Sequence, residues 1–142
     1  MKSPLKPSTC FSNYWIYADY SKYIFQKPLA EREVGKWLFF EKVDRIDSIW
    51  EIIKNATEHG YLGPYSKVST QKRSSENFDK NTFVICVYTE DFNNKEDINR
   101  VEKKLRDLGI KNELSYKLNK DAGKYEFQGF KNLIRMTSKF TE

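Results

Sequence analysis

The stretch of sequence that decides the fold is Val34-Gly-Lys-Trp-Leu-Phe-Phe40, and a segment with helical periodicity follows it from Asp44. Successive side chains of a strand point to opposite faces, so we expect Trp37 and Phe39 on one face and Lys36 on the other. The two aromatic residues suit a core against helices, which leaves the Lys36 ammonium group on the opposite, open and concave face. The segment therefore predicts a strand with one core face and one polar face.

A second predicted strand, Tyr65–Thr70, repeats this alternation. With Val68 in the core, Lys67 and Ser69 face the same side as each other. Ammonium and hydroxyl donors complement phosphate oxygens. We therefore expect these residues and Lys36 to share a phosphate-binding pocket, although a solvated strand lysine explains Lys36 equally well when that residue is taken alone.

Further candidates for this pocket come from the segments around the two strands. A basic loop follows Thr70, a long loop rich in aromatic residues precedes the first cationic strand, and a late strand carries one more lysine. The predicted ligand-binding set is Lys36, Lys67, Ser69, Thr70, Lys72, Arg73, Lys117, Trp15, Tyr20 and Tyr23. Trp37 and Trp50 are instead expected in the core.

Periodicity predicts five strands and two helices in the order strand, strand, helix, strand, strand, helix, strand. Asp44 and Asn94 are suitable N-caps, and Gly60 and Gly109 are suitable helix stops. This order favours an α+β fold, in which a curved, mainly antiparallel sheet carries its helices on one face. The predicted strands are 13–18, 33–40, 65–70, 81–89 and 112–118, the helices are 45–59 and 95–108, the loops are 20–32 and 71–80, and residues 125–136 form a short strand or irregular return.

Composition narrows the class of protein. A chain of 142 residues fits one domain, which we place at residues 11–142 after a flexible N-terminal arm over residues 1–10. No run approaches the roughly 20 apolar residues of a membrane span. Two cysteines form neither a disulfide framework nor a metal-ligand pattern, which favours the reducing cytoplasm. The net charge of +5 is compatible with an anionic partner.

Several kinds of site find little support. His59 is the single histidine and falls at a predicted helix end, where interaction with the helix dipole is the common role. Catalysis by a Ser/His/Asp triad or by zinc is therefore disfavoured. The sequence contains no glycine-rich phosphate loop, and no metal or other cofactor is predicted.

An ordered string of short segments resembles an uncharacterised family whose members are labelled phosphothreonine lyase domain proteins. The similarity covers about residues 33–118. It also extends to the bacterial effector phosphothreonine lyases, which implies that Lys67 is a general base and Lys36 a phosphate or acid partner; Leu38 stands where those enzymes carry their acid histidine. The segments are Gly35–Phe40, Val43-Asp44, Trp50-Glu-Ile52, Leu62-Gly63, Lys67–Thr70, Val84–Thr89 with Asp91, Asp97-Ile98, Arg100-Val101, Leu105-Arg106, Leu108-Gly109 and Tyr116-Lys117.

The same order of segments is similar to the cap-binding translation initiation factor family. That resemblance implies a nucleotide bound on the concave face of a curved antiparallel sheet, with Lys36 and the segment Lys67–Arg73 near its phosphates. The sequence thus predicts binding of a phosphorylated small molecule, a nucleotide or RNA, or a phosphorylated peptide. Two alternatives stay open: a carbon–oxygen lyase that eliminates phosphate with Lys67 as base, and an interaction module whose basic helix face, Arg100–Lys104, docks an acidic partner.

Overall fold

The fold is an antiparallel five-stranded sheet with two helices on one of its faces. A computed structural model describes residues 5–72 and 81–119 of the chain. Within these residues the sheet has the strand order β1-β3-β4-β2-β5, and every pair is antiparallel. The predicted α+β class is confirmed. The elements are β1 (Trp15–Asp19), β2 (Gly35–Lys42), α1 (Val43–Glu58), β3 (Tyr65–Ser69), β4 (Thr82–Thr89), α2 (Lys95–Asp107) and β5 (Ser115–Leu118), with 3-10 turns at Pro7–Thr9 and Leu29–Glu31.

The main core lies between the helices and one face of the sheet. Trp37 and Phe39 of β2 belong to it, as their alternation predicted, together with Trp50 of α1. The Trp37 indole N–H donates a hydrogen bond to the backbone oxygen of Ile98, 3.0 Å away, which fastens β2 to α2. Strand β4 lies in the middle of the sheet and is buried along both faces, which confirms the prediction of a covered central strand.

The helix boundaries follow local chemistry, with one correction. Asp44 was predicted as the N-cap of α1, but the helix begins at Val43 directly after β2, and Asp44 lies in its first turn, where a carboxylate still favours the helix dipole. The prediction for α2 is confirmed, because the Asn94 side chain accepts a hydrogen bond from the Asp97 N–H at 3.1 Å. Gly60 ends α1 at a positive φ of 78°, as expected of a glycine stop.

Part of the predicted N-terminal arm packs on the domain. The 3-10 turn Pro7–Thr9 lies against α1, and the Ser8 N–H and hydroxyl donate to the Asp47 carboxylate at 3.0 and 2.5 Å. Cys10 is buried in the main core. Residues 1–4 and the predicted return at 125–136 lie outside the described residues, as does most of the predicted basic loop after β3.

No helix among residues 5–72 and 81–119 is long and apolar enough to cross a membrane.

Candidate anion-binding site on the sheet face

Lys36 and Lys67 lie on the same face of the sheet, opposite the helices. Strand β4 separates their strands, with Lys67 in register with Cys86 and Lys36 in register with Tyr88. Cross-strand partners project to the same side. Cys86 and Tyr88 belong to the second apolar cluster, which is separate from the core under the helices. The sequence therefore placed both lysines on the correct face.

Both ammonium groups are held among aromatic rings. The Lys67 Nζ lies 3.7 Å from the centre of the Trp15 ring and 5.8 Å from that of Tyr88, and the Lys36 Nζ lies 5.6 Å from the same Tyr88 ring. Cations at these distances from ring faces are stabilised by the ring quadrupole. The two lysines thus converge on Tyr88, which was not among the predicted site residues.

The expectation of an open face is wrong at these two positions. Lys36 is 2% exposed and Lys67 is fully buried. Trp15 covers the Lys67 ammonium group, and Tyr65 stacks on Tyr88 with ring centres 4.2 Å apart. Alternation along the strands predicts which face a side chain takes, but it carries no information on what packs over that face.

Tyr17 belongs to the row of side chains that surrounds Lys67 on this face of the sheet. It is the cross-strand partner of Lys67 on β1. Burial, with a smaller contribution from Cys86, raises the pKa of Tyr17 well above its ordinary value, so its phenol stays protonated. The row also contains Leu38, which is the partner of Cys86 on the other side of β4. Leu38 is therefore an apolar member of this face.

The three polar candidates next to Lys67 have structural hydrogen bonds. The Ser69 hydroxyl accepts the Val84 N–H at 3.0 Å and so extends the pairing of β3 with β4. The Thr70 hydroxyl donates to the backbone oxygen of Asn13 and accepts the Lys72 N–H at 3.1 Å. The Lys72 ammonium group donates to the backbone oxygen of Ser12, just before β1, at 3.4 Å. Thr70 and Lys72 therefore fasten the start of β1 to the end of β3.

Lys117 lies at the outer end of the same face. It is exposed on β5 and is the cross-strand partner of Lys36. Arg73, the remaining predicted cation, lies outside the described residues.

The two loop tyrosines do not join Lys36 and Lys67. The Tyr20 ring packs on Gly60 at the end of α1, so closely that a Cβ on this glycine would lie 2.8 Å from it. The Tyr23 hydroxyl donates to Glu90 at 3.3 Å. Burial and the Glu90 charge raise the pKa of Tyr23, which keeps it a donor. Both rings instead fasten the long loop to the domain.

Glu90 is the organising residue of that loop, and sequence reasoning missed it. Its carboxylate is buried and accepts the Gln26 N–H at 2.8 Å and the Lys27 N–H at 2.7 Å, besides the Tyr23 hydroxyl. The Arg32 side chain lies 4.0 Å from it and stacks on Phe25 at 3.8 Å. The one signal in the sequence was the position of Glu90 directly after an apolar strand. A carboxylate at that position can accept hydrogen bonds from the segment that covers the end of the sheet.

Asp91 adds an ion pair next to this cluster. Its carboxylate lies 2.6 Å from the Lys27 ammonium group and accepts the Asn93 N–H at 3.0 Å. Burial alone would raise the pKa of Asp91, but the hydrogen bonds and charge of Lys27 and the contact with Asn93 outweigh it, so the pKa is lowered. The segment Glu90-Asp91 thus anchors the loop at both Gln26 and Lys27.

The basic face of α2 is partly engaged within the fold. Arg100 pairs with Asp97 at 2.9 Å and donates to the backbone oxygen of Leu62 at 3.0 Å. The Lys104 ammonium group lies 4.4 Å from the Tyr61 ring. Lys103 remains exposed. In the part of the chain that the structure describes, no group of three or more histidine, cysteine or carboxylate residues could hold a metal ion.

Comparison with known proteins identifies the family. No curated protein gives a match to the chain. The family model described as basophilic leukemia-expressed protein Bles03 matches residues 22–122, which include the anchored loop and strands β2 to β5. Because this match covers well over half of the sequence, the chain belongs to the Bles03 family.

Proposed function

We propose that this protein binds a phosphorylated ligand on the helix-free face of its sheet, with Lys36 and Lys67 as the phosphate contacts. The observation that carries the proposal is the convergence of two buried lysines on one ring: each Nζ lies within 6 Å of the Tyr88 ring centre. The resemblance to cap-binding and phosphothreonine-directed proteins supports the same face and the same cations.

Burying two ammonium groups on one face of the sheet costs free energy. Removing an ammonium group from water costs several kcal/mol, and a second cation on the same face disfavours the first. The surrounding aromatic rings offset about 0.5–2 kcal/mol of this cost per cation. Proteins commonly retain such expensive clusters at functional sites. A phosphate dianion brings two negative charges and several acceptor oxygens, which match both lysines at once.

Trp15 supplies a direct readout of binding. Its ring covers the Lys67 ammonium group at 3.7 Å, so a phosphate that contacts Lys67 must displace the ring. Trp37 and Trp50 lie in the core on the other side of the sheet. Ligand binding should therefore change the fluorescence of Trp15 alone.

The test is a thermal-shift and fluorescence titration with inorganic phosphate, nucleoside mono- and triphosphates and a phosphothreonine peptide. A ligand that binds only the folded state stabilises it by about 2.7 kcal/mol at 100 times its Kd, and the shift should disappear in Lys36→Met and Lys67→Met. These variants keep the aliphatic stem of the lysine. Lys111→Met, at an exposed lysine beyond α2, is the matched control and should retain the shift. If no phosphorylated ligand raises Tm or alters Trp15 emission, the proposal fails.

The elimination reaction is the second candidate, and the same peptide tests it. Removal of a Cα proton by Lys67 would convert phosphothreonine to a dehydrated residue with release of phosphate. Leu38 offers no proton at the expected position, and the protonated Tyr17, in register with Lys67 on β1, is an alternative donor. Loss of the mass of phosphoric acid from the peptide, abolished in Lys67→Met, would establish the lyase. An intact bound peptide would establish binding alone.

A further inference from the structure

We infer that two copies of this chain associate by antiparallel pairing of their β1 strands, which joins the two sheets edge to edge. The inference does not depend on the phosphate contacts proposed above. It begins from the strand order, because β1 is an edge of the sheet that residues 5–72 and 81–119 form. The outer side of an edge strand is a template for pairing with a strand of another chain.

The register of β1 with β3 determines which backbone groups point to that outer side. The Tyr20 N–H donates to the backbone oxygen of Pro64 at 2.9 Å, so these two residues are a hydrogen-bonded pair. Hydrogen-bonded and non-hydrogen-bonded pairs alternate along antiparallel strands. Trp15 and Asp19 both lie an odd number of residues before Tyr20, in continuous register with β3. Their backbone N–H and C=O groups therefore point away from β3, toward the outer side of the sheet.

The sequence of β1 does little to protect this edge. Proteins commonly guard edge strands with lysine, proline or a bulge. The strand reads Trp-Ile-Tyr-Ala-Asp over Trp15–Asp19, pairs with β3 without a bulge, and carries its one charge at its last residue. Strand β5, at the opposite edge, carries Lys117. Of the two edges, β1 is therefore the one better suited to pairing with another strand.

Exposed apolar side chains at both ends of β1 favour a second copy of the chain as the partner. Phe11 and Tyr14, which precede the strand, are 68% and 46% exposed, and Ile24 and Phe25, in the loop that follows it, are 78% and 42% exposed. In an antiparallel pair, the start of β1 in one copy lies beside the end of β1 in the other. The two aromatic residues of each copy thus approach the apolar loop of the other copy. A two-fold axis repeats this contact, which makes the surface self-complementary.

The proposed pairing places Trp15 of one copy opposite Asp19 of the other. The two-fold axis produces two such pairs, and each pair exchanges two backbone hydrogen bonds. The Trp15 ring stays over Lys67 on the helix-free face, because the pairing uses the backbone of Trp15 and not its side chain. One short strand pair with its flanking side chains is a small interface, and small interfaces are typical of weak association. We therefore expect a dimer whose population depends on concentration.

Sedimentation equilibrium of the full chain tests this from about 1 μM to about 1 mM. The mass should rise from that of the 16.9 kDa monomer toward twice that value. Asp19→Pro should weaken dimerisation by about tenfold or more, because proline removes the outward N–H at two symmetry-related positions. Asp19→Ala keeps this N–H and is the matched control, which should still dimerise. A monomer at every concentration would overturn the inference.

A second pair of variants and amide hydrogen exchange locate the interface even if Asp19→Pro fails to fold. The double variant Phe11→Ser with Tyr14→Ser should weaken the dimer, whereas Ile52→Ser, at a 38% exposed side chain of α1, should leave it unchanged. The Asp19 amide should exchange more slowly as protein concentration rises, while the Ala18 amide, which points toward β3, should be protected at all concentrations. A dimer in which Asp19 exchange does not change with concentration would show that the copies associate elsewhere and would refute pairing through β1.

Discussion

Replacing Glu90 with alanine should release the loop between β1 and β2 while the sheet stays folded. Glu90 is buried at the end of β4, and its carboxylate accepts the N–H groups of Gln26 and Lys27 and the hydroxyl of Tyr23. Glu90 thereby joins three points of that loop to the end of β4. The variant therefore tests whether one carboxylate determines the conformation of the whole segment.

The magnitude follows from the number of hydrogen bonds. A hydrogen bond to a charged group contributes about 1.5–3 kcal/mol, so the loss of three would cost roughly 4.5–9 kcal/mol if the donors stayed buried. The loop can instead open and return its N–H groups to water, which limits the loss. We expect the closed state of the loop to lose about 2–4 kcal/mol relative to its open state, within the range of mutations that break a buried polar network.

Amide hydrogen exchange measures the effect where it occurs. A loss of about 3 kcal/mol in the closed state of the loop corresponds to a more than 100-fold faster exchange. This acceleration should appear at Gln26 and Lys27 but not in β4. Glu90→Gln should recover part of the protection, because its amide oxygen can still accept from Lys27. Glu31→Ala, at an exposed carboxylate of the same loop, is the control and should change neither amide. Unchanged exchange at Gln26 and Lys27 in Glu90→Ala would refute the reasoning.

Two further predictions concern the same end of the sheet. The pKa of folded Asp91 is lowered below its ordinary 3.8, so near that pH the unfolded state binds more protons than the folded state. The stability that the Lys27 pair contributes is therefore present above about pH 4 and is lost as the pH falls. Tm scans should show Lys27→Ala reducing this acid-side loss, since the Asn93 contacts with Asp91 remain, and parallel curves would contradict the assignment. At Gly35 a Cβ would lie 2.1 Å from the Tyr116 hydroxyl, so Gly35→Ala should destabilise by about 1–3 kcal/mol. Denaturant titration of Gly35→Ala with Tyr116→Ala should give less than the sum of the single losses, and additive losses would exclude the contact.

The fold was predictable because its strands carry clear alternation. Trp37 and Phe39 on one side and Lys36 on the other determined how β2 sits in the sheet, and the apolar stretch Phe83–Tyr88 identified the central strand. Asn94 and Gly60 correctly predicted the start of α2 and the end of α1. The prediction of Asp44 as an N-cap was wrong because β2 runs directly into α1 with no intervening residue.

The candidate site was predictable only in part. The face shared by Lys36 and Lys67 followed from local periodicity, but their burial and their convergence on Tyr88 depend on strand order, which brings β4 between β2 and β3. The positions of Tyr20 and Tyr23 depend on contacts with Gly60 and Glu90, which are distant in the chain. Contacts of this kind leave no periodic signal in the sequence.

The strand order also has a consequence for how the protein folds. β3 and β4 are close in sequence, but α1 and β3 lie between β2 and β4 along the chain. Gly35 of β2 pairs with Leu118, near the far end of the described chain. Non-local pairings of this kind fold slowly, because loop-closure entropy is lost before their contacts form. We expect Lys67 to enter the sheet with the β3–β4 pair, Lys36 to join when β2 docks, and Lys117 to arrive last with β5. The three lysines can therefore come together only in the final stage of folding.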